Sequence, residues 1–297
     1  ELFQNYHQEE QRDRMAIKIV TDSTSDLNPD LAKDLDIRVV PVNVHFGQES
    51  FRDGVELSTD QFFEKLVSSR EVPTTSAPSP GTFLEVYRPL VEAGHQIVSI
   101  HISGKVSATL DSARQAASQL SSGDIHIIDS MQVSMSLGLQ VITAAESVKE
   151  GANLEETLEK VETASNQVQI LAIFDTLEFL KRGGRVGKAR ALIGSLLRMK
   201  PMLTVREGEV ASLGVSRSRA QGVEYLVNIA KGRAPLKKAA VFYSTSNQEA
   251  EEVLEQMKPL VESGNIIVSR LGAALGVHSG PGAWGIAIQS DTTGSSL

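Results

Sequence analysis

No cysteine occurs in the 297 residues, which excludes disulfides, thiolate zinc sites and cysteine nucleophiles together. Basic charge is in deficit: 29 Lys and Arg stand against 37 Asp and Glu, a formal net charge of −8. A nucleic-acid partner is not expected, because a phosphate backbone rewards a cationic surface. No uninterrupted apolar run reaches the roughly 18–20 residues of a membrane span, and no signal-peptide pattern opens the chain. A soluble, cytoplasmic protein is the expectation. No Walker-type "GKS" or "GKT" is present, so ATP binding by this chain is not expected. No G-x-S-x-G elbow is present either, so the serine placement of the common hydrolase triad is missing.

What is present suffices for a large core, since 41% of the residues are hydrophobic. Residues 1–14, "ELFQNYHQEEQRDR", are polar and without period, and "MAIKIVTDSTSDL" follows. The first fourteen read as an extension outside the fold, disordered or introduced with the expression vector, with the natural start at Met15. From there to about residue 164, apolar strands alternate with amphipathic helices. One helix opens on the capping box Ser58–x–x–Gln61. That alternation predicts an α/β domain, a mainly parallel sheet covered on both faces. From 165 to 297 the order changes to strands mixed with helices, including a hairpin turning at Glu207–Gly208, and predicts an α+β domain. Ligands of parallel sheets lie beyond the carboxyl ends of the strands. The segments 21–26, 73–82, 103–107 and 129–136, rich in Ser, Thr and Asp, are expected to build the site as strand-to-helix loops.

Four patterns bear on chemistry. "PTTSAPSP" at 73–80 frames four hydroxyls with three prolines and carries no charge. "GPGAWG" at 280–285 has dinucleotide spacing but precedes a probable strand and opens no helix, so the nucleotide reading lacks its context. Asp22, Asp26, Asp53, Asp129 and Asp175 match no metal-ligand spacing and read as helix and turn caps; no metal is expected. Between Phe179 and Arg206 there is no acidic residue against eight basic ones, including Arg185, Lys188 and Arg190. Such a run is either a solvated basic face or a surface for an anionic ligand or acidic partner. His278, in the Gly-rich turn "GVHSGPG", is the histidine best placed for a ligand, although a lone histidine is more often structural.

Taken together, "KIVTDSTSDL" (18–27), "TTSAPSPGTF" (74–83), "ISGKVSATLDSA" (102–113), "RGGRV" (182–186), "KPML" (200–203) and "HSGPGAWG" (278–285) resemble the DegV family of bacterial fatty-acid-binding proteins over residues 15–290. The resemblance implies a two-domain fold with one long-chain fatty acid between the domains. It places the carboxylate on Thr75 and Ser107, with Ser76 beside them, and near His278 and Arg185. Two departures, Ala77 where the family has Gln and Ser107–Ala108–Thr109–Leu110 where it has Ser–Gly–Thr–Tyr, keep the hydroxyls and bear on acyl-chain preference.

The resemblance further implies a lipid-binding subunit of a bacterial fatty acid kinase. Such a subunit has no catalytic residue and no cofactor. It presents a fatty acid such as palmitate or oleate to an ATP-binding kinase subunit, and the acyl phosphate formed enters phospholipid metabolism. Arg217, Arg219, Lys188 and Arg190 are the expected docking residues. The competing readings are a serine esterase built on Ser107 and His278, a component of a small-ketone kinase of related fold, and a lipid-responsive regulator. A carboxylate needs hydrogen-bond donors, and hydroxyls on a proline-stiffened segment supply them without a fixed counter-charge.

Overall fold

The computed structural model of the protein describes residues 16–69, 71–192, 199–246 and 248–291. The expected extension at 1–14 lies outside the described residues, as does Arg198 of the basic run. Three sheets are formed among the described residues. The first is all parallel, in the order β2–β1–β6–β7, from β1 (Ile17–Asp22), β2 (Ile37–Val40), β6 (Gln96–His101) and β7 (Ile125–Asp129). The expected alternation with helices is observed here, and the capping box at Ser58 and Gln61 is made by both side chains.

The stretch "IRVVPVNVHF" departs from a purely parallel arrangement. Pro41 cannot donate to a ladder, so the chain leaves the first sheet after Val40. It then starts a separate antiparallel sheet, β4–β3–β5, from β3 (Asn43–Phe46), β4 (Glu49–Arg52) and β5 (Thr74–Ser76). The segment expected to be a strand-to-helix loop at 73–82 is thus partly strand. Thr74, Thr75 and Ser76 pair with His45, Val44 and Asn43, and the prolines on either side limit the strand to three residues.

The remaining strands form one six-stranded sheet, β10–β9–β8–β13–β11–β12. They are β8 (Val168–Ile173), β9 (Lys200–Arg206), β10 (Glu209–Ser216), β11 (Leu236–Tyr243), β12 (Ile266–Arg270) and β13 (Trp284–Ser290), antiparallel except where β11 meets β12. The β9–β10 hairpin turns at Glu207 and Gly208, both at positive φ (50° and 79°), as a tight two-residue turn requires. Its tip is held against the first sheet, because the Ser103 hydroxyl donates to the Gly208 carbonyl at 2.8 Å.

The Ser134–Lys149 helix lies between the two larger sheets. Twelve of its sixteen residues are buried and only Lys149, at its C-terminal end, is exposed, as expected of a helix covered on both sides. Met135, Leu139 and Ile142 pack with Val168, Ile170 and Ala287 of the six-stranded sheet. Leu137, Val141, Ala144 and Ala145 pack with Ile19, Val98 and Ile100 of the parallel sheet.

A buried polar chain fixes the end of β1. Asp22 Oδ2 lies 2.9 Å from His101 Nδ1 and accepts from the Ile102 N–H at 3.2 Å. His101 Nε2 lies 2.7 Å from the Ser99 hydroxyl, which lies 2.7 Å from the Tyr87 hydroxyl. All four side chains are fully buried. Each polar atom of the chain is thereby partnered, which a dry interior demands.

Candidate functional site

An apolar cavity of about 180 Å³ lies where the three sheets meet. The six-stranded sheet supplies Ile170, Ala172, Leu203, Val205 and Phe242, and the opposite wall is Ile102, Val106, Val133, Leu271 and Leu275. Each of the four expected segments contributes: Thr24 from the first, Thr75 to Ala77 from the second, Val106 and Ser107 from the third, Val133 and Ser134 from the fourth.

Several polar groups on the lining are consumed internally. The Thr204 hydroxyl donates to the Ile170 carbonyl at 2.6 Å, and the Ser134 hydroxyl to Asp26 Oδ2 at 2.6 Å. The Thr24 hydroxyl bonds Asp22. A hydroxyl whose proton is donated to a carbonyl or carboxylate presents little polarity to a ligand. The polar end is made by Thr75, Ser107, Arg185 and His278. Thr75 Oγ1 and His278 Nε2 are 2.9 Å apart, although 203 positions separate them in sequence. Ser107 accepts from the Thr109 N–H at 3.2 Å and lies 2.9 Å from the Thr109 hydroxyl, at the start of the Thr109–Ser118 helix.

The sequence expectations divide as follows. Thr75, Ser107, Arg185 and His278 come together at one end of the cavity. Ser76 also borders it, with its hydroxyl 2.9 Å from His45 Nε2. His278 is not in a Gly-rich turn; it sits near the end of the Ala273–Ser279 helix. The apolar run "LGAALGV" supports a helical turn as well as a strand, a known ambiguity of short apolar stretches. The exposed Arg185 donates from Nε to the Val106 carbonyl at 3.2 Å and from Nη1 to the Gly183 carbonyl at 2.6 Å, which orients its guanidinium across the cavity mouth.

The five aspartates behave mainly as caps. Asp22 caps the Ser23–Ser25 turn, Asp129 accepts from the Met131 N–H at 2.8 Å, and Asp26 and Asp53 bond backbone N–H groups near residue 272. Asp175 instead pairs with Lys200 at 2.6 Å. No group able to hold a metal occurs among the described residues. The basic run is partly neutralised by acids just outside it: Lys188 meets Glu207 at 2.7 Å, and Arg182 meets Glu178 at 3.0 Å. Arg219 pairs with Asp175 and donates to the Gly282 carbonyl, whereas Arg190 and Arg217 are exposed.

Gly183 has a role that composition did not reveal. Its φ of −73° suits any residue, but a Cβ there would lie 2.2 Å from His278 Nδ1. The glycine is required because the imidazole packs on its α-carbon. His278 Nδ1 is buried and finds no partner among the described residues. Burial, and secondarily the positive charge of Arg185, push the imidazole down from 6.5 to about 4. The ring is therefore neutral at pH 7, one nitrogen a donor and the other an acceptor.

The folded protein thus resists a proton that the unfolded chain accepts below about pH 6.5. The stability this contributes is fully present above the unfolded value and is lost as pH falls towards 4. Urea-unfolding curves of the parent and His278→Asn should therefore differ by an amount that changes between pH 6.5 and 4, the parent losing more. A constant difference across that window would contradict a depressed imidazole.

A family model described as "Uncharacterised protein, DegV family" matches residues 16–291. A DegV domain-containing protein of Deinococcus radiodurans is 36% identical over 281 residues, covering 93% of this chain and 99% of that one. A solved structure from Thermus thermophilus, described as fatty acid binding of a DegV family protein, is 36% identical with a TM-score of 0.87, over 93% of this chain and all of that one. DegV of Bacillus subtilis, described as a fatty acid binding protein, is 32% identical with a TM-score of 0.83, again over 93% and 100%. A protein of Eubacterium ventriosum described as binding stearic acid is 26% identical with a TM-score of 0.83, over 92% and 98%. The two-domain α/β architecture expected from the six short motifs is the architecture of these neighbours. The chain belongs to the DegV family.

Proposed function

We propose that this protein binds one long-chain fatty acid, such as palmitate or oleate, tail in the cavity and carboxylate at Thr75, Ser107, His278 and Arg185. The observation that carries the reading is the make-up of the cavity wall: apolar side chains and hydroxyls whose protons are given to the protein itself, with the paired Thr75 and His278 beside Ser107 and Arg185 as its polar group. Structures of DegV relatives described as fatty-acid-binding support it. At about 0.8 kcal/mol per buried methylene, a tail of roughly fifteen contributes on the order of 12 kcal/mol before the costs of association. The head group then needs only orientation, which a neutral imidazole and two hydroxyls provide.

The reading extends to a carrier that performs no chemistry itself and presents the carboxylate to a separate ATP-dependent kinase subunit, yielding an acyl phosphate for phospholipid synthesis. The hydrogen bonding favours this over an esterase. A serine nucleophile needs a histidine base, yet Ser107 is engaged with Thr109, and His278 with Thr75. A triad also needs a third group on the histidine's other nitrogen, and Nδ1 faces Gly183.

Native mass spectrometry of the purified protein, with lipid extraction, tests the ligand. The expected result is one adduct of fatty-acid mass, released on denaturation. A protein that carries none and takes up neither palmitate nor oleate would overturn the reading. Removing both hydroxyls, in Thr75→Ala/Ser107→Ala, should weaken palmitate binding about tenfold or more, since hydrogen bonds to a charged group contribute about 1.5–3 kcal/mol. An unchanged affinity would remove these two residues from the head-group site.

The expected docking face is narrowed by the ion pairs. Lys188 and Arg219 are engaged within the fold, so the proposal for a kinase contact rests on exposed Arg190 and Arg217. Reversing both, in Arg190→Glu/Arg217→Glu, should depress kinase-dependent acyl-phosphate formation while palmitate retention stays at the parent level. Undiminished formation would rule out this face.

A further inference from the structure

We infer that Asp26 and Asp53 are positioning residues for the ligand head group, acting through the Ala273–Ser279 helix that carries His278. The inference rests on the fatty-acid reading of the cavity and adds two residues that do not touch the ligand.

The helix begins on Gly272, which has no side chain with which to cap it. The first N–H groups of a helix have no partner within it, and a buried terminus cannot leave them bare. Here the partners come from far away in sequence. The Gly272 N–H donates to Asp26 Oδ1 at 2.8 Å, across 246 positions, and the Ala273 N–H to Asp53 Oδ1 at 2.9 Å, across 220. Both carboxylates converge on the space that a side chain at 272 would take. A Cβ there would lie 3.2 Å from Asp53 Oδ2 and 3.4 Å from Asp26 Oδ1. Glycine at 272 therefore reflects the close approach of two acids rather than a need for positive φ.

Such an arrangement is costly for mere capping. Both carboxylates are almost wholly buried, Asp26 at 5% and Asp53 at 5% exposure. Burial drives Asp26 up to about 8 and raises Asp53 as well; the charge of Asp22 adds to both, and that of Asp53 adds to Asp26. An exposed serine or asparagine would cap a surface helix at far less expense.

The geometry points to what the two acids achieve. Asp26 also receives the Ser134 hydroxyl at 2.6 Å, and its carbonyl receives the Ser269 hydroxyl. It thereby joins the cavity wall, the strand before the helix and the helix start into one unit. Asp53 follows β4 of the small sheet, whose β5 strand presents Thr75. The acids thus fix the His278 helix to the elements that carry Thr75 and Ser134. With Gly183 beneath the ring and Thr75 at Nε2, the imidazole is held by its helix, its floor and its partner.

The test uses the delipidated full chain with ¹³C-labelled histidine rings, the His278 resonance being assigned from His278→Asn, and palmitate titrations run in parallel. In the parent His278 should titrate near 4. Asp53→Ala should move the midpoint up towards the free value of about 6.5 and weaken palmitate binding about tenfold. Asp53→Asn, which keeps the accepting oxygen, should restore both. A folded Asp53→Ala protein with parental titration and affinity would overturn the inference, because a purely structural cap would lower the melting temperature and move neither. If Asp53→Ala does not fold, Gly272→Ala, which crowds both carboxylates, carries the same test with the same opposing outcomes. A parent that binds no palmitate would refute the fatty-acid reading alone, since the His278 titration is read without ligand.

Discussion

One helix buried between two sheets sets the geometry on which everything else rests. Ser134–Lys149 is packed against the parallel sheet by one set of side chains and against the six-stranded sheet by another. Neither sheet can close directly on the other while that helix lies between them, and beyond its N-terminal end a gap is left. Ser134 and Val133 mark that end, and both line the cavity. The cavity is therefore a consequence of how the layers are spaced. Close approach matters as well as separation: a Cβ at Gly138 would stand 2.8 Å from the Ser25 carbonyl, so the helix sits directly on the turn that carries Thr24 and Asp26.

Burying polar groups around an apolar cavity is hazardous unless each is matched, because an unsatisfied group costs about 1–3 kcal/mol in a dry interior. The protein meets this in two ways. The Asp22–His101–Ser99–Tyr87 chain settles its polar atoms among themselves, well inside the parallel sheet. On the cavity side, Thr204 and Ser134 turn their protons away from the lumen. The hydroxyls that remain oriented to one end then stand out against a background made deliberately quiet.

Much of the fold was legible in the chain because local rules were obeyed. Strand–helix alternation, the Ser58–Gln61 box and the Glu207–Gly208 turn each require only a few neighbouring residues, and each is formed. Thr75, Ser107, Arg185 and His278 were legible through short motifs, but their meeting was not, since Thr75 and His278 are 203 positions apart. What escaped the sequence has a common cause. The β5 strand exists because β3 offers an edge, the His278 helix because two distant acids cap it, and Gly183 because an imidazole lies on it. Partners supplied across the fold leave no periodic trace in the segment that depends on them. The apolar residues lining the cavity, such as Ile170 and Val205, read as ordinary strand interior for the same reason.

The electrostatic design of the polar end follows from these constraints. A fully paired cation deep in the cavity would hold a carboxylate tightly and shield its oxygens. Here the nearest histidine is kept neutral by burial and by Arg185, while Arg185 itself is exposed and shares its protons with the Val106 and Gly183 carbonyls. The charge therefore stands at the rim, where water weakens it, and the interior offers only neutral donors. On the proposed fatty-acid reading, affinity would come chiefly from the tail, and orientation from Thr75 and its histidine. A head group met by neutral donors, with its cation at the rim, would on that reading stay open to a second protein without extraction of the tail.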